Sequence, residues 1–447
     1  MQVDAALLKR LSDYPFLVAT WVEDAGYPVS VATNFQTDGE APTLLLNAPG
    51  LPIPTDREVS VIASHIHPQP GIGYDQRRYL CVWGRASTPR DGIVTFSGEH
   101  AWGWDEAEVP FFEYSERSVP QSRRYLEQLS AERGRPIKPR LALPWLILRT
   151  TRLPFLTATF VPVLLGLAIA ARHGPFDWLV AALTILGASF AHLAINVTND
   201  IFDTLSGADE ANVNPTQFSG GSRVLYYGLL SLRELSTWAA ILFAGAIAVG
   251  LVLLAIRPSL ELLLIGVAGV LIGLAYTAPP LKLVYRGLGE IAVAVGFGPV
   301  MLLGAYVAQT GRLAWEPLVA SLPVAILIAL ILYVNEIPDR RGDAAAGKRT
   351  LVVRLSQIAV ERLYLVAALV AFALVVVGVA AGIMPWPTLL ALLALPLVFQ
   401  VYRGIDQHYN SPYTLMAVMG TNVKLHLYTG LLLFVGYLVA LGLTLVR

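Results

Sequence analysis

Asn196-Val-Thr-Asn-Asp-Ile-Phe-Asp-Thr-Leu-Ser-Gly-Ala-Asp209 is the stretch on which the reading of this chain turns. It follows an apolar run that begins at Trp178, so polar side chains arrive at the end of what reads as a membrane helix. Asn196, Asn199, Asp200 and Asp203 stand at i, i+3, i+4 and i+7, which puts them on one helical face. Asp209 follows just past Gly207, where a helix is expected to give way to a loop. Carboxylates at the end of a membrane helix are costly to keep ionised unless something cationic meets them.

A second stretch answers the first: Asn335-Glu-Ile-Pro-Asp-Arg-Arg-Gly-Asp-Ala-Ala-Ala-Gly-Lys-Arg-Thr350. It ends an apolar run from about Pro317 to Val334, and Glu336, Asp339 and Asp343 again share one face, with Lys348 and Arg349 a turn further on. Helix capping and pairing with nearby arginines is the plainer reading of either motif alone. Two such motifs, each ending a membrane helix, favour a cradle for oxygen-seeking divalent cations such as Mg²⁺. Mg²⁺ keeps several waters and takes its remaining ligands from one or two carboxylates plus substrate phosphates. The pair therefore reads as a diphosphate site with its metals, flanked by basic residues for the phosphate oxygens.

The two motifs resemble those of the UbiA superfamily, intramembrane prenyltransferases that join an isoprenoid diphosphate to an acceptor. The likeness covers roughly residues 140–447. The family pattern Asn-Asp-x-x-Asp-x-x-x-Asp is altered here: Gly207 stands where the last Asp is expected and Asp209 comes two residues later. That variant resembles the branch that prenylates dihydroxynaphthoate on the way to menaquinone. Ala275-Tyr-Thr-Ala-Pro-Pro-Leu-Lys282, Tyr285-Arg-Gly-Leu-Gly289 and Gly220-Gly-Ser-Arg-Val-Leu225 are similar to the same branch.

Composition agrees with a polytopic membrane protein carrying a soluble part: 55% hydrophobic and 14% charged residues, with mean hydropathy +0.58. The net charge is zero, which gives no reason to expect a nucleic-acid partner. A single cysteine, Cys81, excludes an internal disulfide and a multi-cysteine metal site. Met1–Asp13 is polar and amphipathic, so no signal peptide is expected.

Three segments are expected: a soluble domain over 1–132, a basic linker over 133–152 and a membrane domain over 153–447. In the first, Asp4–Ser12 reads as a helix, followed by strands at 16–22, 28–34, 43–47, 59–65, 78–86 and 92–96. Turn chemistry separates them, notably at Asp24–Pro28 and Thr37–Gly39. Phe111–Glu132 reads as a charged helix. Six short strands suggest a small barrel or sandwich. The strand–turn–strand from Phe16 to Thr33 resembles the split barrel of pyridoxamine-phosphate-oxidase-like flavoproteins. That resemblance implies FMN held between two barrels, hence a homodimer, with Arg77, Arg78 and Arg85 as candidates to reach its phosphate. A barrel without flavin, serving as a docking module, is the equal alternative. Ser64–Arg78 reads as its polar central loop, and the metal suggested by His65-x-His67 is weakly founded.

Nine spans are expected, at 154–171, 178–198, 236–256, 260–277, 288–308, 317–334, 360–382, 386–402 and 425–446. Seventeen Lys and Arg then fall on the side of the N-terminal domain, against Arg172, Arg257, Arg312 and Arg447 on the other. By the positive-inside rule, both acidic motifs and the soluble domain face the cytoplasm of the cell membrane. The expected fold is thus an all-α bundle of nine transmembrane helices preceded by a β split barrel.

The family resemblance implies the chemistry. Asn199, Asp200, Asp203 and Asp209 would hold one Mg²⁺, Asp339 and Asp343 another, and Glu336 would bind directly or through water. Asn196 joins the substrate-binding set, and Arg223, Lys282, Lys348 and Arg349 are candidates for the diphosphate oxygens. Tyr276 and Tyr333 are candidates to face the allylic cation, with interfacial anchoring as the equal alternative. The implied reaction moves a polyprenyl group from its diphosphate to an aromatic acceptor, dihydroxynaphthoate first. Geranylgeranylglyceryl phosphate is an alternative acceptor, and a non-catalytic flavin or haem sensor with a membrane anchor is the alternative from another class.

Overall fold

The computed structural model describes residues 3, 7, 10–37, 43–47, 49–50, 53–69 and 73–445. The chain divides into two compact units, Met1–Ser118 and Val119–Arg447.

In the first unit, alternation of apolar and polar residues produces six strands with one buried face. These are β1 (Leu17–Val22), β2 (Pro28–Thr37), β3 (Thr43–Asn47), β4 (Val59–Gln69), β5 (Gly73–Ala86) and β6 (Ile93–Asp105). They close an antiparallel barrel in the order β1-β2-β3-β6-β5-β4, and closure leaves no free sheet edge. Leu17, Ala19, Trp21, Leu44, Leu46, Val61, Val82 and Phe96 fill its interior. Most of the helix expected over 4–12, and the turn at Asp38 and Gly39, lie outside the described residues. The segment expected as a polar loop over 64–78 is instead largely paired β4 and β5, in register from Val59↔Gly84 to Gln69↔Gly73. The strand alternation simply runs on through polar residues there, as it does in β6, which extends to Asp105. Helix α1 (Phe111–Glu132) follows, and the division between units falls inside it.

The second unit opens with α2 (Leu143–Thr151), a helix within the stretch expected to be a linker, entered by a proline at its first turn. Nine helices long and apolar enough to cross a membrane come next among the described residues. They are α3 (Leu153–His173), α4 (Trp178–Leu205), α5 (Leu232–Ile256), α6 (Leu260–Thr277), α7 (Gly289–Thr310), α8 (Trp315–Ala345), α9 (Gln357–Ala380), α10 (Trp386–His408) and α11 (Pro412–Thr444). The protein is a multi-pass membrane protein. Side-chain caps mark several starts: Asp177 accepts from the backbone N–H of Leu179 and Val180, and Ser231 with Glu234 forms a capping box.

Two helices run beyond the apolar spans expected at 178–198 and 317–334. α4 continues to Leu205 and α8 to Ala345, so both acidic motifs are helical, as the one-face spacing of their acids implies, and α4 gives way just before Gly207 as expected. At 1.5 Å per residue, α4 is roughly 42 Å long and α8 roughly 46 Å, against about 30 Å of hydrocarbon. Each carries its carboxylates past the apolar layer on its last turns. α11 also begins earlier than expected, at Pro412, which moves Lys424 from a loop onto a helix. α8 is the spine of the bundle: Ala320, Val324, Leu327, Val334 and Ile337 are buried along its length.

Candidate active site

The acidic ends of α4 and α8 come together through one loop and one lysine. The loop, residues 212–223, is fastened to both helices. Ser222 donates its backbone N–H to Asp200 Oδ1 at 2.8 Å and its hydroxyl to Oδ2. Asp339 on α8 accepts from the Asn212 side-chain amide, the Ser219 hydroxyl and the Gly220 N–H, each at 2.9 Å. Two glycines make these contacts feasible. Gly221 has φ +70°, and a Cβ there would lie 2.7 Å from Asp200 Oδ1. A Cβ on Gly342 would lie 2.8 Å from Asn212 Cα.

Lys348 supplies the lysine. The helix α8 ends, Gly347 turns the chain with φ +75°, and Lys348 comes back to lie 3.6 Å from Asp203 Oδ2 and 3.6 Å from Asp343 Oδ1. Burial works against its ammonium, but the two carboxylates outweigh it and hold the pKa well above the ordinary lysine value. Asp203 also accepts from the Tyr285 hydroxyl at 3.1 Å and from the Asn199 amide at 3.0 Å. Asp209 sits in the short helix Ala208–Ala211, beyond Gly207 with φ +78°. The Thr204 hydroxyl donates to it at 2.5 Å. Burial first, and then the Asp203 carboxylate, push the Asp209 pKa up to about 6.

Four buried oxygens at this site are left over. Asn199 Oδ1, Glu290 Oε2 and both carboxyl oxygens of Glu336 have no hydrogen-bond partner among the described residues, and the Glu290 carboxyl lies beside Glu336. Leaving such groups unpaired in a folded interior is expensive. Among the described residues no three His, Cys, Asp or Glu side chains converge closely enough to hold a metal unaided. A hard cation that drew part of its shell from phosphate oxygens and water would fit this donor set.

Other expected residues are placed differently. Arg223 is buried with φ +56°, donates to Asn212 O at 3.0 Å and stacks over Tyr226; it fastens the loop. Arg349 is exposed, with its backbone N–H on Tyr285 O, and Lys282 lies over the Tyr285 ring with its ammonium 5.2 Å from the centroid. Asn196 donates to Thr151 O at 3.2 Å. Tyr333 gives its hydroxyl to Val360 O and packs in the core between α8 and α9. In the barrel, Arg77 pairs with Glu106, Arg78 lies over Tyr14 and Arg85 pairs with Glu99. Arg77 and Arg85 are eight residues apart on β5, roughly 26 Å along an extended strand, so they do not converge on one phosphate.

The sequence reading gave no roles to Asn212, Thr204, Ser219, Ser222, Tyr285 or Glu290. Tyr285 and Ser222 stand in stretches noted for their resemblance, but Asn212 and Ser219 carry no signal until the loop is folded onto the carboxylates.

Beside this site lies a cavity of about 600 Å³ lined mainly by α3, α4, α5, α6, α7 and α8. Its wall is mainly aliphatic, and Asn196, Asn199, Tyr276 and Asn335 line it on the side of the motifs. Arg152 also lines it, with φ +53° and its guanidinium on Phe218 O at 3.4 Å. The motif asparagines thus stand between the acid cluster and the apolar chamber.

Residues 159–422 match the UbiA prenyltransferase family. The 2-carboxy-1,4-naphthoquinone phytyltransferase of Synechocystis sp. is 30% identical over 287 residues, covering 64% of this chain and 90% of that protein. The 1,4-dihydroxy-2-naphthoate octaprenyltransferase of Bacillus subtilis is 27% identical over 319 residues, covering 70% of this chain and 99% of that protein. A solved UbiA homolog from Aeropyrum pernix K1 superposes with a TM-score of 0.48 at 19% identity, over 64% of this chain and 97% of that one. With its paired acidic helix ends above an apolar chamber and a family match over more than half its length, this chain belongs to the UbiA prenyltransferase family and is a membrane prenyltransferase.

Proposed function

We propose that the protein transfers a polyprenyl group from polyprenyl diphosphate to 1,4-dihydroxy-2-naphthoate, a step of menaquinone biosynthesis, at the cytoplasmic face of the cell membrane. The observation that carries this reading is that Asn199 and Asn335 of the two motifs line the apolar cavity while Asn199 also holds Asp203, so groups suited to a diphosphate adjoin a chamber suited to the chain it carries. The names of the naphthoate-acting relatives support the acceptor. Asp200, Asp203, Asp209, Asp339 and Asp343, with Asn199 and Glu336, would hold Mg²⁺, which when bound neutralises the leaving diphosphate.

The chain's own residues do the rest. Lys348 meets departing negative charge between the two motifs. The aliphatic wall keeps water from the allylic carbon, and Tyr276 offers it a ring face. Arg152, at the cavity wall, is the candidate partner for the acceptor's carboxylate. The barrel is read as an accessory domain. FMN and a flavin-bridged homodimer find no support in the separation of Arg77 and Arg85 or in their pairing with Glu106 and Glu99, and FMN uptake by purified protein tests them directly.

Membranes bearing the protein should convert dihydroxynaphthoate and a polyprenyl diphosphate to the demethylmenaquinone-level product, with release of CO₂ and loss of activity in EDTA. Preference for geranylgeranylglyceryl phosphate or hydroxybenzoate would reject the acceptor and keep the prenyl transfer. Full activity in EDTA would reject the metal.

A further inference from the structure

His192 is a polar side chain with no part in the site so far described. It lies on α4, four residues before Asn196 and on the same face as the motif, so it sits roughly 6 Å deeper along the helix. It lines the cavity, is only 4% exposed, and meets the Phe297 ring edge-on with centroids 4.9 Å apart. Its Nδ1 is 2.6 Å from the hydroxyl of Thr159 on α3. Its Nε2 has no hydrogen-bond partner among the described residues and opens on the cavity.

The Thr159 contact settles which nitrogen carries the proton. Thr159 is fully buried and its hydroxyl makes no other hydrogen bond among the described residues, unlike Thr184 and Thr198, which return theirs to carbonyls one turn back on α4. If Nδ1–H were the donor, the Thr159 hydroxyl hydrogen would be buried with nothing to accept it. Thr159 therefore donates to Nδ1, the neutral ring carries its proton on Nε2, and an N–H donor faces the chamber.

Resting on the function proposed above, we infer that His192, oriented by Thr159, donates a hydrogen bond to a phenolic oxygen of the aromatic acceptor. The depth agrees. A diphosphate held at the level of Asn199 and Asp203 leaves its first carbon on the cavity side of them, and an attacking ring carbon must come within about 3–3.5 Å of it. A ring placed there lies at the level of Asn196 and His192. In a wall of aliphatic side chains, one fixed donor orients a flat ring that dispersion alone would leave free to turn. A donor without an acceptor function also favours an oxygen carrying negative charge.

The test is steady-state kinetics on the full-length protein with Mg²⁺, a polyprenyl diphosphate and dihydroxynaphthoate. His192→Phe should raise the KM for the acceptor ~10–100-fold, as expected for loss of a hydrogen bond to a charged oxygen, while the KM for the diphosphate stays within about twofold. His192→Gln, which keeps an amide donor near the Nε2 position, should recover most of that loss. Thr159→Val should raise the acceptor KM selectively by a smaller factor. An acceptor KM unmoved in His192→Phe, meaning that only water meets Nε2, would overturn the inference. So would equal rises in both KM values. If His192→Phe does not fold, the contrast between His192→Gln and Thr159→Val decides: a larger selective rise of the acceptor KM in Thr159→Val upholds the inference, and a rise no larger than that of His192→Gln overturns it. Wild-type protein that prenylates no aromatic compound would remove the underlying function as well, a result distinct from an unmoved KM.

Discussion

The two acidic motifs share a spacing and differ in what their carboxylates do. Asn199-Asp200-x-x-Asp203 aligns with Asn335-Glu336-x-x-Asp339, yet the matched positions have different surroundings. Asp200 takes both Ser222 donors, whereas Glu336 takes none. Asp203 faces Lys348, Tyr285 and Asn199, whereas Asp339 accepts three bonds from the loop. The carboxylate that meets Lys348 from α8 is Asp343, at the position where α4 has Gly207. Spacing therefore selects a helical face, and the 212–223 loop decides which acids on that face also hold the architecture. Asp339, with three donors from the loop, keeps only its remaining lone pairs for a cation.

The largest expected effect separates Asp203 from Asp339. Asp203→Asn keeps a hydrogen-bonding side chain and removes the charge, so turnover should fall ~10²–10³-fold, the scale for losing one electrostatic contact to a reacting centre. Its melting temperature should stay near wild type. Asp339→Ala should lose activity and also stability, by about 3 kcal/mol, because the Asn212, Ser219 and Gly220 donors lose their partner. Parallel turnover and thermal-melt measurements decide. Equal melting temperatures for the two variants would erase the distinction drawn here.

A smaller effect contrasts the aligned pair. Asp200→Ala should destabilise the metal-free protein by ~1–3 kcal/mol, since Ser222 is left with buried donors. Glu336→Gln should be neutral or stabilising, because it replaces a buried carboxyl that has no partner with an uncharged amide. The comparison fails if Glu336→Gln proves the more damaging of the two in melts carried out in EDTA.

The smallest effect is a pH dependence of the metal-free fold. The Asp209 pKa stands at about 6 in the folded chain, above the ordinary aspartate value near 3.9. Between those values the folded state binds more protons than the unfolded state, so this contribution is fully present below about pH 4 and is lost as pH rises through 6. Wild type in EDTA should therefore lose stability relative to Asp209→Asn as pH is raised from 4 to 7. A difference that is flat across that range would show that Asp209 ionises normally.

Much of the membrane domain could be read directly from the chain. Runs of about 20 apolar residues leave few options in a bilayer, because helices satisfy every backbone group internally. The i, i+3, i+4, i+7 spacing of the acids then places them on one face without any knowledge of neighbours. The spans expected at 178–198 and 317–334 are shorter than α4 and α8 because they follow the apolar run alone, whereas both helices continue through their polar motifs to Leu205 and Ala345.

Sequence determined the residue chemistry, the helical faces and the alternating strands, since each depends on covalent order and a fixed local period. Tertiary structure alone decided that Lys348 sits between Asp203 and Asp343 and that Arg223 fastens a loop. It also decided that the Thr159 hydroxyl meets His192 Nδ1. Those are contacts between residues up to 145 positions apart, as with Lys348 and Asp203. No local period encodes such pairs; they form only when burial of the helix faces brings distant segments into register.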